Sequence, residues 1–154
     1  MLDIRPATRA DAQCTLDIRR AAIHAQCIGA YSAQDMHTWT QAVVTPPYAD
    51  LVEQHFYLAR WHGEDVATVM LGPQVSELGA LFVAPQAMGQ GIGRRLVEHL
   101  EGLARRAGWT HLTLDATLNA ADFYRRCGFV GQAESVYESP SGISLRCVPM
   151  YKAL

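Results

Sequence analysis

The sequence predicts a mixed α+β fold with a mostly antiparallel central sheet flanked by helices. Three observations predict it. Segments with strand-type alternation gather in the middle and at the end of the chain. Helical spacing of apolar residues governs the early part and returns after residue 91. Between a strand and the longest helical pattern stands the glycine-rich stretch QAMGQGIGRRL, Gln86 to Leu96. The element order reads βααβββαβαββ. A length of 154 residues suits one domain, 1–154, with one sizeable core.

Leu2 and Ile4 alternate with polar residues and open the chain as a strand. Thr8 with Asp11 resembles a capping box, and Ala12, Leu16, Arg19 or Arg20, and Ile23 follow helical spacing. Ser32 with Asp35 is a second cap, opening a shorter helix with Met36, Trp39 and Val43 on one face. Pro46 and Pro47 are expected to end it. HFYLARWHGEDVATVMLGP reads as two strands around the turn His62-Gly63-Glu64-Asp65, and QVSELGALFVAP as a third. From about Gly91 to Ala107, residues Ile92, Leu96, Leu100, Leu103 and Ala107 mark one helical face. Glu101 and Arg105 form a well-oriented surface pair, and Gly108 stops the helix. THLTLDA is a strand with Leu112 and Leu114 on one side. Asn119 is expected to cap a short helix, AADFYRRC, closed by Gly128. FVGQAESVYES and ISLRCVPMYKAL read as final strands joined by the turn Pro140-Ser141-Gly142. Only the strands flanking the glycine-rich helix are expected to be parallel.

Hydrophobic residues make up 49% and charged residues 18%, which predicts a packed globule rather than disorder. A formal charge of -2 argues against non-specific binding to nucleic acid, which needs a basic face. The start, MLDIRPAT, is charged within five residues, and LGALFVAP is far short of the roughly 20 residues that span a bilayer. A soluble, cytoplasmic protein without membrane partners is expected. Cys14, Cys27, Cys127 and Cys147 lie far apart with no CxxC pair, and are expected to be reduced and mostly buried. The six histidines show neither HxxxH nor HExxH spacing, so no metal is expected.

Gly89, Gly91 and Gly93 alternate just before a helix, where glycine costs about 1 kcal/mol relative to alanine. A strand, a bare turn and a helix N-terminus together make an anion site, because the first helical amides lack partners and side chains no longer block a phosphate. The lysine of a G-x-x-x-x-G-K-[ST] loop is missing. Arg94 occupies the last glycine position of a G-x-G-x-x-G fingerprint that starts at Gly89. A turn with a close helix–strand contact is the other reading.

LFVAPQAMGQGIGRRLVEHL, followed by a strand and NAADFYRRCGF, resembles the GNAT superfamily of acetyl-CoA-dependent N-acetyltransferases. The resemblance covers the chain in element order, implies a GNAT-type sheet, and is most specific from Leu81 to Phe129. It implies acetyl-CoA as acyl donor. The family's [Q/R]-x-x-G-x-[G/A] loop aligns on Met88-Gly89-Gln90-Gly91-Ile92-Gly93, whose backbone amides would hold the pyrophosphate. Met88 stands where arginine or glutamine is usual, and Gln86 with Gly89 and Gly91 fits the pattern two residues earlier. Arg94, nearest the loop, and Arg125 and Arg126 are candidates for contacts to the phosphates, with a solvated helix face as the other reading for each. The resemblance further implies that the backbone of Leu81, Phe82 and Val83 pairs with the pantetheine chain. Asn119 would contact the cofactor. Tyr124 would protonate the departing thiolate, although the alanine of this segment is displaced from the family's position.

Attack on a thioester needs a neutral amine, yet a free lysine-type amine with pKa near 10.4 is about 99.9% protonated at pH 7. Many relatives carry a glutamate at the position of Gly79. Glu77, two residues earlier, points to the same face and is the candidate base through water. His24 and His37 are alternatives. The resemblance implies that acceptors dock on the first two helices, where Tyr31, Asp35, Trp39 and His24 would form the substrate site. A small-molecule amine is the expected acceptor, with a protein or peptide amine second. A non-catalytic acyl-CoA sensor is the rival reading. Dimers are frequent in the family, so a homodimer is a further expectation.

Overall fold

The computed structural model describes residues 1–139 and 142–154. In chain order the elements are β1 (Leu2–Pro6), α1 (Ala12–Gln26), α2 (Ala33–Trp39), α3 (Pro46–His55), β2 (Phe56–Trp61), β3 (Glu64–Leu71), β4 (Leu78–Val83), α4 (Ile92–Arg106), β5 (His111–Thr117), α5 (Ala121–Arg126), β6 (Ser135–Glu138) and β7 (Ser144–Ala153). Pro140 and Ser141 of the expected final turn lie outside the described residues; the Gly142 amide donates to the Ser139 carbonyl at 2.9 Å.

One helix was absent from the expected order. Pro46 and Pro47 do not merely stop α2; they occupy the first turn of α3, with Thr45 as N-cap accepting from the Tyr48 amide. Proline suits that position, since its missing N–H would be unpaired there anyway. Helix α2 ends at Trp39, so Val43 leaves the face it was expected to share with Met36 and Trp39 and is exposed. The cap of α5 is Ala120 rather than Asn119, whose side chain turns elsewhere. On α4 the Glu101–Arg105 pair forms at 3.6 Å, but Glu101 is buried because Lys152 reaches it from β7, and Ala107 of the expected apolar face is exposed. The segment FVGQAESVYES is strand only at β6, apart from the single bridge Val130–Tyr151. The two caps near the start of the chain stand. The Asp11 carboxylate accepts from the Thr8 amide and hydroxyl, and Ser32 accepts from the Asp35 amide. His62 and Gly63, both at positive φ, make the tight turn between β2 and β3.

Strands β1-β2-β3-β4 form one antiparallel sheet and β5-β7-β6 another. The two meet through the parallel bridge Glu77–Thr113, where the Thr113 amide donates to the Ser76 carbonyl at 2.7 Å. Beyond that bridge the rest of β4 forms no described ladder with β5, so its outer edge stays free. Strand alternation divides the core. Phe56 and Leu58 pack under α1 and α3, while Ala59, on the opposite face of β2, joins Leu96, Val97 and Leu100 of α4. Helix α4 also rests on Val69, Leu78 and Leu112, which ties the two sheets together on one side. Among the described residues no helix is long and apolar enough to cross a membrane.

Candidate active site

Where β4 and β5 part, a cavity of about 720 Å³ opens between them and α1. Three local features make up the candidate site in and beside it.

The first is the glycine loop. Gly89 and Gly91 have φ of +74° and +77°, a left-handed backbone that only glycine adopts without strain. A side chain at either would meet open space, so sterics against the protein do not explain them. Gly91 is the N-cap of α4, no side chain caps it, and no acidic residue stands in the first turn. The first amide of this turn with an intrahelical partner is that of Arg95, which donates to the Gly91 carbonyl at 3.2 Å. The amides of Ile92, Gly93 and Arg94 are therefore the unsatisfied donors of a helix N-terminus. Gly93 has a different reason to be glycine, since a Cβ there would press on the ring of Phe123. Gln90 and Arg94 are exposed, and Arg94 pairs with Glu98 at 3.3 Å. Ile92 is buried in the core and offers only its backbone, while Met88 packs against that core.

The second is a bulge in β4. The register of β3 against β4 shifts between Thr68 and Met70, and Ala80 sits at φ +49°. A non-glycine residue there costs of the order of 1–2 kcal/mol. The bulge turns the free edge of β4 at Ala80 and Leu81 into the cavity wall, which Phe82 continues. Val83 lies beyond, buried in the core at the loop end of the strand.

The third is the opposite wall. Tyr124 is 7% exposed, held between the rings of Phe123 and Phe129 at 5.0 and 5.8 Å, and it lines the cavity. Burial pushes its phenol well above the ordinary tyrosine pKa, with Cys127 adding to the rise. It therefore stays protonated throughout the neutral range and is a proton donor by default. Asn119 also lines the cavity and reaches the thiol of Cys27, opposing in part the burial that pushes that thiol up to about 11.

Glu77 and Asp115 line the cavity next to the bridge between the sheets. Burial raises the Glu77 pKa, and the negative charge of Asp115 raises it further. Opposite, Arg19 lines the cavity with its guanidinium 5.8 Å above the Trp39 ring and donating to the Trp39 carbonyl at 3.4 Å. Thr15 donates to the Ala12 carbonyl, so the Tyr48 hydroxyl donates to Thr15 at 2.7 Å. Thr68 is 1% exposed and also lines the cavity; its hydroxyl is the only fully buried side-chain polar atom among the described residues without a hydrogen-bond partner. Leaving such a group unpaired costs about 1–3 kcal/mol.

The cavity thus gathers Tyr124, Glu77, Leu81, Phe82, Asn119, Tyr31 and Trp39. The glycine loop stands outside it, past the end of β4. Tyr31 spends its hydroxyl on the Arg146 carbonyl and the Leu118 amide, stitching the α1–α2 connection to β7 and β5. His24 is exposed and faces Thr40, His37 is exposed and faces Gln41, and Asp35 lies at the cap of α2; none of the three lines the cavity. Arg126 is exposed, whereas Arg125 is committed to Asp122 and the Gly131 carbonyl. Arg19, Tyr48, Thr68 and Asp115 are among the lining residues that sequence reasoning does not single out. Tyr48 sits on the helix hidden behind two prolines, and the others look like ordinary helix and strand residues. Among the described residues no group of three His, Cys, Asp or Glu side chains could hold a metal ion.

Comparison with known proteins places this geometry. The Acetyltransferase (GNAT) domain family matches residues 27–154. A probable glucosamine 6-phosphate N-acetyltransferase 2 from Oryza sativa subsp. japonica is 36% identical over 59 residues, which are 38% of this chain and 36% of that relative's length. A GCN5-related N-acetyltransferase from Rhodopseudomonas palustris, described as "Aminotransferase, Class-II", superposes with a TM-score of 0.91 at 28% identity, covering 99% of this chain and 95% of the other. The structure of yncA from Salmonella typhimurium with its cofactor acetyl-CoA gives 0.72 at 22% identity, covering 100% and 94%, and shares the fold.

Proposed function

The chain belongs to the GNAT acetyltransferase family, and on that premise we propose that it moves an acetyl group from acetyl-CoA to the primary amine of a small molecule by direct transfer in a ternary complex. The observation that carries this reading is the free edge of β4, which runs from unsatisfied helix amides at one end to Tyr124 and Glu77 in one cavity.

These residues fit the donor. The left-handed loop and the open space over Gly89 and Gly91 leave backbone amides accessible to a diphosphate. An amide-bearing extended chain can add to the edge of β4 like another strand. Acetyl-CoA supplies a thioester already activated for attack, so no covalent enzyme intermediate is needed. The amine nitrogen bonds to the acetyl carbon, the carbon–sulfur bond breaks, and one proton leaves nitrogen while another reaches sulfur.

Glu77 takes the nitrogen's proton, directly or through one water. Its raised pKa makes it a stronger base than an ordinary carboxylate. Tyr124, protonated and buried, gives its proton to sulfur. Backbone amides at the Ala80 bulge polarise the acetyl carbonyl. Arg94, Arg126 and Asn119 add side-chain contacts to the donor. Trp39 and Tyr31 form the apolar side of the acceptor site. Thiol release from acetyl-CoA across a panel of amines tests this: saturable release with at least one amine is expected. Saturable coenzyme A binding without release from any amine would favour a sensor instead.

A further inference from the structure

We infer that the acceptor is an amine that also carries an anionic group, a carboxylate or a phosphate, and that Arg19 holds the anion while Glu77 and Asp115 face the amine. This rests on the acetyl-transfer reading above and names the substrate class of the same cavity.

The argument starts from Arg19. Its side chain is partly buried in the cavity wall, and no carboxylate stands within ion-pair distance of it among the described residues. Its neighbour Arg20, by contrast, points away to Asp17 and to the carbonyls of Thr40 and Ala42. Taking a guanidinium out of water without an anion is costly, and burial lowers the pKa of Arg19 accordingly. The guanidinium is also held in place. Trp39 stacks on it and accepts one hydrogen bond, which leaves other donors of its planar fork for a ligand.

A second observation is independent of charge. The orphaned hydroxyl of Thr68 is buried in the same cavity and has no protein partner. A ligand oxygen would satisfy it. Tyr48, which lines the same cavity, donates its hydroxyl proton to Thr15, so its oxygen remains an acceptor.

The cavity is also dipolar. Arg19, Asp115, Glu77 and Tyr137 all line it, and Tyr137 lies within electrostatic range of the cation and of both carboxylates. An ammonium group gains from the carboxylate side and an anion from the arginine side. A plain alkylamine satisfies only the first. An anionic amine satisfies both.

The experiment compares acceptors in matched pairs. The carboxylate arm sets glycine, β-alanine and aspartate against their amides. The phosphate arm sets O-phosphoethanolamine and glucosamine 6-phosphate against ethanolamine and glucosamine. Thiol release gives kcat/KM for the free-amine form of each. In one arm the anionic member is expected to exceed its neutral twin by at least about tenfold. Arg19→Gln should collapse that ratio through KM, and Arg19→Lys, which keeps the charge, should restore part of it. Thr68→Val should raise KM for the anionic acceptor without lowering the melting temperature, because the hydroxyl has no protein partner to lose. Equal use of neutral twins, or a preference that survives Arg19→Gln in folded protein, overturns the inference. If no amine is turned over, acetyl transfer fails as a reading. Calorimetry of the same anionic amines on the coenzyme A-loaded protein then decides separately: Arg19-dependent binding sustains the anion site, and its absence removes it.

Discussion

Phe123 lies directly over Gly93: a Cβ on the glycine would stand 3.1 Å from Cζ and 3.3 Å from Cε1 of the ring. This contact joins the first turn of α4, which bears the unsatisfied amides, to α5, which bears Tyr124. The third glycine of the loop is thus a packing residue, whereas Gly89 and Gly91 are backbone residues. Gly93→Ala should push Phe123 outward and, through it, Tyr124. Alanine's better helix propensity offsets part of the strain, so the net loss should be about 1 kcal/mol or less. In a Phe123→Leu background the same change should turn neutral or stabilising. Denaturant titration of the four proteins checks the sign reversal.

Tyr124→Phe should lower kcat by about 100-fold, within the usual range for losing a general acid, and leave coenzyme A affinity nearly unchanged. Because burial holds the phenol protonated, the wild-type pH profile should show no tyrosine limb below pH 10. Steady-state kinetics with a parallel calorimetric titration separates the two effects.

Glu77 has its pKa raised by burial first and Asp115 second. The acid limb of kcat/KM should therefore lie above the ordinary carboxylate range. Asp115→Asn, which removes a like charge, should shift that limb to lower pH, and Glu77→Gln should abolish it. Stability follows the same sign. The native state binds this proton more tightly than the unfolded chain, so Glu77 weakens folding progressively as pH rises through its raised pKa. Glu77→Gln should accordingly stabilise the free protein at neutral pH and lose that advantage in acid. An unchanged profile in Glu77→Gln would assign the base elsewhere.

Lys152 Nζ donates to both oxygens of Glu101 at 2.9 and 3.0 Å and to the Cys127 carbonyl at 2.7 Å. Glu101 is 5% exposed, so this contact clamps β7 to α4 and to the end of α5. Lys152→Met should cost up to about 3 kcal/mol, because it leaves the buried Glu101 carboxylate with only the Arg105 guanidinium, at 3.6 Å. Replacing both partners with Glu101→Leu and Lys152→Met should cost less than the single change. Thermal unfolding of the set measures the difference.

The elements with strong periodicity were legible in the sequence. Helix α4 announced itself through Ile92, Leu96 and Leu100, and its ends through Gly91 and Gly108. Helix α3 was not legible, because two prolines stop one helix and start another with the same letters; only Thr45 as a cap before them marked the start. The bulge in β4 was equally hidden, since nothing about alanine signals a φ of +49°. Motif and alternation singled out Tyr124 and Glu77, and both stand on the cavity wall. Arg19 could not be separated from Arg20, because its burial depends on Trp39 arriving from a different helix. Thr68 reads as any strand threonine until its surroundings are known to offer it no partner.

The central claim is that backbone amides at the start of α4 grip the donor's diphosphate. Calorimetric titration of coenzyme A into the wild-type protein and Gly91→Asp tests it most directly. The account predicts saturable binding to the wild type and none to a folded Gly91→Asp, which places bulk and negative charge at the amides. No heat from the wild type, or undiminished affinity in the variant, would contradict it.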